Sequence, residues 1–460
     1  MTLAPALKDY IHDNQDRFLR DIARLAAQPS VSATNDGVEE CALLVKKMIE
    51  EIGGRAQLLK LEGAPPLVYG EVLRPGPGKT VLIYNHYDVQ PAEPLELWKS
   101  PPFKPEIRDG RMYGRGVSDD KGQLVARLKL IESYLKVNGE PPCNIKFCFE
   151  GEEEVGSGHL EEYVTKNSQL FESDAVLWEY GRIDNEGRPV VSLGVKGMMY
   201  LELVARTLNQ DAHSMYAAAL PNPVWRLVRL LSMIKDEHEH ILIPGWYDRV
   251  KGLSADELKV LNQEPSEAEG LLAAYGAQRF AGGLSFGEAR MALVTGPTAN
   301  IAGIRGGYSG PGSKTVLPAE VRCKMDFRLV PEQDPDELFV RFTDFLSSHG
   351  FSDIKVERMT MEPAARTSYT SPWAQAAIRA AAEVFGVKPV IELSSPGTGP
   401  LYVFTRRYRS EAVDFGFAPH DDAIHAPNEN IRLDYLEKGM IWMGQTLENY
   451  ATGGGGAPRA

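Results

Sequence analysis

Apolar positions along this chain recur with two different periods. In Ala6–Ala26 the residues Leu7, Tyr10, Ile11, Phe18, Ile22 and Leu25 approximate a 3.6-residue stripe, and Val38–Ile52 repeats it, which predicts amphipathic helices covering a sheet. Short, strand-like apolar runs form the second pattern: Thr80–Asn85, Asn144–Phe149, Ala175–Trp178 and Glu411–Phe417. Each leads to side chains able to bind metal. The first delivers His86 and Asp88, the second the acidic cluster Glu150–Glu154, the third Glu179, and the fourth runs on towards His425. In open α/β sheets, ligands collect in the crevice beyond the carboxyl ends of the strands, so these sequence-distant residues are expected to be neighbours in one mixed His/carboxylate site.

Between the strand runs lie a Pro-rich connection, Pro91–Pro105, and a Gly-rich element, Gly110–Gly122, reading GRMYGRGVSDDKG. A helix is predicted over Gln123–Val137, stopped by Asn138 and Gly139. From Gly197 the pattern changes: strands at Met198–Arg206, Met291–Thr295, Glu320–Leu329 and Ile354–Met359, and helices at Pro223–Ile234 and Pro335–Ser348. That order predicts an α+β, ferredoxin-like domain inserted into an α/β domain with a mixed sheet and helices on both faces. Helices at Trp373–Phe385 and Tyr435–Tyr450 return to the first domain. The expected division is 1–195 and 367–460 for the first domain and 196–366 for the insert, with a disordered tail from about Gly453. Lys235–Phe286 is polar and irregular and yields no clear element.

Composition narrows the class. A chain of 460 residues favours two or three domains or one interrupted domain, and 43% hydrophobic with 25% charged residues is ordinary for a soluble globular protein. A net charge of -13 and a pI near 5.3, with no clustered basic footprint, argue against nucleic-acid and anionic-membrane partners. Met1–Phe18 lacks an apolar run long enough for a signal peptide or spanning helix, so a cytoplasmic protein is expected. Cys41, Cys143, Cys148 and Cys323 follow no zinc-ribbon or disulfide spacing and are expected to be reduced and buried.

Each chemistry-bearing element has a plainer reading beside the functional one. In His86-x-Asp88 both side chains project to one face of an extended strand, where Asp88 is placed to orient His86; a satisfied surface histidine is the alternative. Asp119 and Asp120, among Gly114, Gly116 and Gly122, are either aimed into a cleft or a helix N-cap. Four carboxylates within Glu150–Glu154 repel one another unless solvated or compensated by a cation, and the apolar run before them favours the cation. His425 sits in His420–Glu429, which is rich in candidate ligands and their supports.

The stretches NHYDVQP (Asn85–Pro91), GRGVSDDKGQ (Gly114–Gln123), EGEEEVGSG (Glu150–Gly158), FRLVP (Phe327–Pro331) and HAPNE (His425–Glu429) resemble the metallopeptidase family of carnosinases, bacterial dipeptidases, glutamate carboxypeptidases, aminoacylases and desuccinylases. The resemblance covers almost the whole chain, and the DVQP and RLVP elements look closest to the carnosinase-like dipeptidases. It implies two zinc ions per subunit, with Mn2+ or Co2+ as alternatives: His86 and Glu179 on one, Glu154 and His425 on the other, Asp119 bridging. It further implies Glu153 as general base to a metal-activated water, Asp88 orienting His86, and an insert acting as lid and homodimerisation domain. From that insert, His213 would stabilise the tetrahedral intermediate, often across the dimer, and Arg328 would bind a substrate carboxylate, with Asn300 a further substrate contact.

Two departures bear on the substrate. Glu179 stands where dipeptidase-like members carry Asp, and Glu is associated with the carboxypeptidases and deacylases. Ser394–Pro400, which supplies Gly397 and Thr398 as candidate substrate contacts, lacks the carboxylate that anchors a substrate amine in that family. The expected function is a zinc-dependent hydrolase of a peptide or N-acyl amide bond next to a free carboxylate, dipeptidase-like, acting on a small peptide or N-acyl amino acid. Carboxypeptidase or N-acyl-amino-acid deacylase activity is the nearer alternative, and a non-catalytic binding homologue the more distant one.

Overall fold

The computed structural model describes residues 3–453 other than 265, 267 and 269, so the expected tail beyond Gly453 lies outside the described residues. The chain divides into two compact units, Met1–Gly194 with Arg366–Leu393 and Pro400–Ala460, and Val195–Ala365 with Ser394–Gly399. In chain order, the first unit contributes strands β1 (Arg55–Leu59), β2 (Leu67–Val72), β3 (Thr80–His86), β4 (Asn144–Glu150), β5 (Ala175–Trp178) and β6 (Val190–Ser192). The second contributes β7 (Gly197–Arg206), β8 (Asn300–Gly306), β9 (Glu320–Leu329) and β10 (Lys355–Glu362), and the chain then returns to the first with β11 (Val390–Glu392) and β12 (Glu411–Asp414).

The first unit is built on a mixed sheet of order β1-β2-β4-β3-β5-β12-β6-β11. Its centre, β4-β3-β5-β12, is parallel, while β1 and β2 run antiparallel at one edge. Every position of β5, and all of β3 after Thr80, is buried, which explains why these strands read as continuous apolar runs without alternation. The helix Lys121–Val137 is buried from Lys121 to Tyr134 and packs against Pro5–Asp13, Gln15–Ala26 and Leu433–Ala451. The stripe expected over Ala6–Ala26 is thus two helices. Asn14 breaks it, its side-chain amide donating to Tyr10 O at 2.8 Å, the local competition with the helix ladder typical of Asn.

From the Lys121–Val137 helix, Arg127 reaches the carboxyl edge of the sheet. Its fully buried guanidinium donates to Tyr84 O (2.8 Å), Trp178 O (2.6 Å) and Phe415 O (3.4 Å), and to Asn85 Oδ1 (3.1 Å). One side chain therefore holds together the ends of β3 and β5 and the residue just beyond β12.

Apart from the helices Ala255–Gln263, Leu271–Tyr275 and Phe286–Thr295 inserted before β8, the main elements of the second unit run strand, helix, strand, strand, helix, strand with the sheet order β8-β9-β7-β10, a ferredoxin-like arrangement with all neighbours antiparallel. Helices Pro223–Ile234 and Pro335–Ser348 cover one face through Leu227, Leu230, Phe342 and Phe345 against Met199, Leu201 and Phe327. The strand expected at Met291–Thr295 is instead the second half of a helix, Phe286–Thr295. Ser285 and Glu288 form a reciprocal capping box at its start, and the apolar run Met291–Val294 is too short to reveal the period. The strand of this region lies further on, in the Gly-interrupted β8. Ser394–Gly399 associates with the second unit because the Lys196 N–H bonds Ser395 O and Gly397 O at 3.2 and 2.9 Å.

All four cysteines are free and buried, and among the described residues no helix is long and apolar enough to cross a membrane. Replacing Arg127 by Met should leave several buried carbonyls short of a donor, each costing about 1–3 kcal/mol. Denaturant unfolding should register a loss of about 3 kcal/mol or more, and an unchanged midpoint would show that Arg127 does not hold the strand ends.

Candidate metal centre

Strand β3 ends on His86, opposite Glu150 of β4. His86 is 1% exposed, with Nδ1 3.1 Å from Asp88 O and 3.4 Å from Asp88 Oδ1, which turns Nε2 to within 2.9 Å of Asp119 Oδ1. Asp88, fully buried, also accepts the N–H groups of Glu153 (3.2 Å) and Glu154 (3.1 Å). One carboxylate thus fixes the histidine ring and the turn after β4 together.

Asp119 comes from the Gly-rich loop before the Lys121–Val137 helix. Gly116 takes φ +81°, and at Gly122 a Cβ would lie 1.9 Å from Val117 O, so neither the loop's turn nor its contact with the helix start tolerates a side chain. Asp120 occupies the N-cap position yet makes no capping bond; its Oδ2 accepts from Asn85 Nδ2 (2.6 Å) and His86 N (3.3 Å). Of the two sequence readings for the Asp pair, the buried network has displaced the cap. Asp119 is left free to face the crevice, with Oδ1 towards His86 and Oδ2 3.1 Å from His425 Nε2.

His425 is not at a strand end. It lies in the loop beyond β12 in left-handed backbone conformation (φ 56°), shared by Ala423 and Asn428, a clustering of strained residues typical of functional loops. Its Nε2 is also 3.1 Å from Glu154 Oε2. Ligand atoms of His86, Asp119 and Glu154 lie within 4.8 Å of one another. Glu179 follows β5, and its carboxylate is close enough to Glu153, His86, Asp120 and Asp119 to feel each one's charge. Among the described residues, Glu154 Oε1 and Glu179 Oε2 are buried without a hydrogen-bond partner. A donor set rich in carboxylates, with buried oxygens still unpaired beside two imidazoles, fits divalent metal.

The electrostatics agree. Burial, reinforced by Glu153, holds the Glu179 carboxyl well above the usual carboxylate range. Burial likewise pushes Glu153 up to about 7, with Asp119 and Glu154 adding repulsion and His86 opposing. Burial would raise Asp119 too, but the bonds from His425 and His86 outweigh it and its pKa falls below the ordinary value. His425 is raised to about 10 by its bonds to Asp119 and Glu154.

The other residues singled out from sequence belong to the second unit. Arg328 Nη1 donates to Thr398 Oγ1 at 2.6 Å, and Asn300 Nδ2 to Asp326 Oδ2 at 2.8 Å, with Asp326 Oδ1 4.0 Å from Arg328 Nε, so Asn300, Asp326, Arg328 and Thr398 form one polar line. Gly397 is next to Thr398, its carbonyl bound by the Lys196 N–H. His213 stands apart from them: Nδ1 accepts from Met215 N and Nε2 is 3.1 Å from Thr315 Oγ1. Sequence reasoning gave no role to Glu429 or Arg127, although the HAPNE signature contained the first.

A parallel-centred sheet whose carboxyl edge, together with the loop bearing His425, gathers imidazoles and buried carboxylates forms a candidate metal centre. The chain belongs to Peptidase family M20/M25/M40, whose sequence profile matches residues 82–449. It is 29% identical over 478 residues to the Cys-Gly metallodipeptidase of Candida albicans, covering 96% of both chains. It is also 30% identical over 401 residues to human Beta-Ala-His dipeptidase, covering 84% of this chain and 77% of that one. Among solved structures, a metallo-carboxypeptidase of the same family from Sulfolobus solfataricus superposes with TM-score 0.86 at 37% identity, covering 95% of this chain and 99% of that one. This protein is accordingly a metal-dependent peptidase.

The Glu153 carboxyl gives the metal-free protein a pH signature. Folded, it keeps its proton up to about pH 7, against 4.5 as the ordinary value. Between those values the folded state binds more protons than the unfolded, so this group's contribution to stability falls as pH rises from about 4.5 to about 7. With metal stripped, the melting temperature of wild type relative to Glu153→Gln should fall between pH 5 and pH 8; a constant or rising difference would contradict the burial of that carboxyl.

Proposed function

We propose that this chain is a zinc-dependent, dipeptidase-like hydrolase that cleaves a peptide or N-acyl amide bond next to a free carboxylate. The observation that carries the reading is Asp119, whose two oxygens face His86 Nε2 and His425 Nε2 separately. In this reading His86 and Glu179 hold one zinc, Glu154 and His425 the other, and Asp119 serves both. A His/carboxylate set of this kind suits zinc, and also Mn2+ or Co2+. When bound, the pair supplies Lewis-acid polarisation of the scissile carbonyl and acidifies water.

The remaining steps fall to side chains. Glu153 takes a proton from the attacking water onto its carboxylate and delivers it to the nitrogen of the leaving amine. Asp88 holds the His86 ring and, through the N–H groups of Glu153 and Glu154, the position of the base. Arg328 receives the substrate carboxylate, a task suited to a planar guanidinium, with Asn300, Gly397 and Thr398 lining the same unit. His213 stabilises the developing oxyanion from the second subunit of a homodimer formed through the second unit. In support of that dimer, β8 is an edge strand exposed at every position. The retained base and complete ligand set speak against a purely binding homologue, and the cytoplasm is the proposed location.

A second reading, carboxypeptidase or N-acyl-amino-acid deacylase, is favoured by Glu179 and by the absence of a carboxylate in Ser394–Pro400. The 37% identity to the Sulfolobus metallo-carboxypeptidase points the same way. A panel of free dipeptides, N-blocked peptides and N-acyl amino acids separates the two: activity confined to substrates with a free α-amine would sink the second. Glu153→Gln should retain bound metal while losing turnover on the order of 100-fold or more. Turnover near wild type would remove Glu153 from the role of base.

A further inference from the structure

The loop that carries His425 is flanked by two buried carboxylates that the mechanism leaves unused. Asp422 precedes the histidine and Glu429 follows it; they are 6% and 0% exposed. Neither carboxylate is hydrogen-bonded to His86, Glu154, Glu179 or His425 side chains among the described residues. Both instead grip the segments that bear other ligands.

Glu429 is saturated. Its Oε1 accepts the N–H groups of Ser118 (2.9 Å) and Asp119 (3.0 Å), and its Oε2 accepts the Gly116 N–H (3.0 Å) and Arg115 Nη1 (2.7 Å). Its main-chain carbonyl takes the Gly114 N–H at 3.0 Å. The Gly114–Asp119 loop is therefore wrapped around one anion, a backbone nest whose occupant is a side chain. Simple attachment of the two segments does not require it, since Asn430 already pairs with Tyr113. What the nest adds is the orientation of the peptide that carries Asp119.

Asp422 completes the arrangement. Its Oδ2 accepts Ser118 Oγ at 2.8 Å and, closely, Tyr180 Oη; Ser118 adjoins Asp119, and Tyr180 adjoins Glu179. On the other side, Asp88 binds His86 and the Glu153–Glu154 turn. The presumed ligands thus fall under two clamps, Asp88 for His86 and Glu154, and Asp422 with Glu429 for Asp119, Glu179 and His425.

Resting on the ligand assignment above, we propose that Glu429 and Asp422 are positioning residues that hold the Asp119 and Glu179 segments in register with His425, and so set the affinity and geometry of the metal pair. Groups that support metal ligands in this way typically contribute roughly 10–100-fold in metal affinity. Glu429 acts on the shared ligand and bears on both metals. Asp422 acts through Ser118 on the Asp119 segment as well as through Tyr180 on Glu179, whereas Tyr180, next to Glu179 in sequence, bears mainly on one.

The test compares full-length Glu429→Gln, Asp422→Asn, Tyr180→Phe and Arg115→Lys by chelator competition with Zn2+, by the visible spectrum of the Co2+ form, and by denaturant unfolding without metal. Glu429→Gln should bind Zn2+ roughly 10–100-fold more weakly, with an altered Co2+ spectrum and a fall in kcat at nearly unchanged KM. Tyr180→Phe should weaken only one of two titration steps, and Asp422→Asn both. Arg115→Lys removes the bidentate-capable partner but leaves the three backbone N–H bonds to Glu429; it should lose stability and keep wild-type metal affinity and spectrum. Wild-type affinity and spectrum in Glu429→Gln would overturn the proposal, as would affinity lost in Arg115→Lys in proportion to stability. If Glu429→Gln does not fold, Tyr180→Phe decides: two unchanged titration steps overturn the proposal, and one weakened step supports it. Asp119→Asn separates the premises, because wild-type metal binding there refutes the ligand assignment itself, whereas lost binding there with an unaffected Glu429→Gln refutes only the positioning.

Discussion

Asp119 presents one oxygen to His86 and the other to His425, at 2.9 and 3.1 Å, and Glu154 and Glu179 crowd beside it. Gathering that much negative charge away from water is costly unless cations share the space. Much of the first unit can be understood as the means of sustaining it. The parallel centre of the sheet puts the ends of β3, β4 and β5 at one edge, Arg127 ties three of the carbonyls there, and Asn85 links that guanidinium to Asp120 and to Glu179 O. The buried carboxylates Asp88, Asp120, Asp422 and Glu429 each bond the backbone or side chain of His86, Glu154, Asp119 or a residue adjoining one of them.

The legible part of this design was its endpoints. Strands that will be buried on both faces read as unbroken apolar runs, so the positions of His86, Glu179 and the Glu150–Glu154 cluster at their ends were visible, whereas the choice of Glu154 within that cluster came from the family resemblance. His425 was harder, because the loop after β12 reaches the site through left-handed residues instead of through a strand end. Asp120 illustrates a different difficulty: its position does match an N-cap, and only the tertiary bonds to Asn85 and His86 N redirect its side chain. Arg127 and Glu429 were invisible for a related reason. Their importance lies in partners more than forty residues away, and nothing in local periodicity distinguishes a buried, saturated charge from a solvated one.

In the second unit the fold was readable and the detail was not. In β9 buried and partly exposed positions alternate, with Cys323 and Phe327 on the covered face, and β7 puts Met199 and Leu201 on the same face. Met291–Thr295 failed because a four-residue apolar run fits either period, and the decisive signal, Ser285 with Glu288, lay just upstream. The polar line from Asn300 to Thr398 could not be read from sequence, because it joins residues about a hundred positions apart. It offers a guanidinium and hydroxyl, and Ser394–Gly399 contributes no carboxylate for an amine.

The most direct measurement is a crystal structure of the zinc-loaded protein with anomalous diffraction recorded on both sides of the zinc absorption edge. Two anomalous peaks are expected on either side of the Asp119 carboxylate, roughly 3.5–4 Å apart, one against His86 and Glu179 and the other against Glu154 and His425. A single peak, or peaks that leave Asp119 or Glu179 outside ligand distance, would contradict the two-metal site on which the proposed chemistry stands.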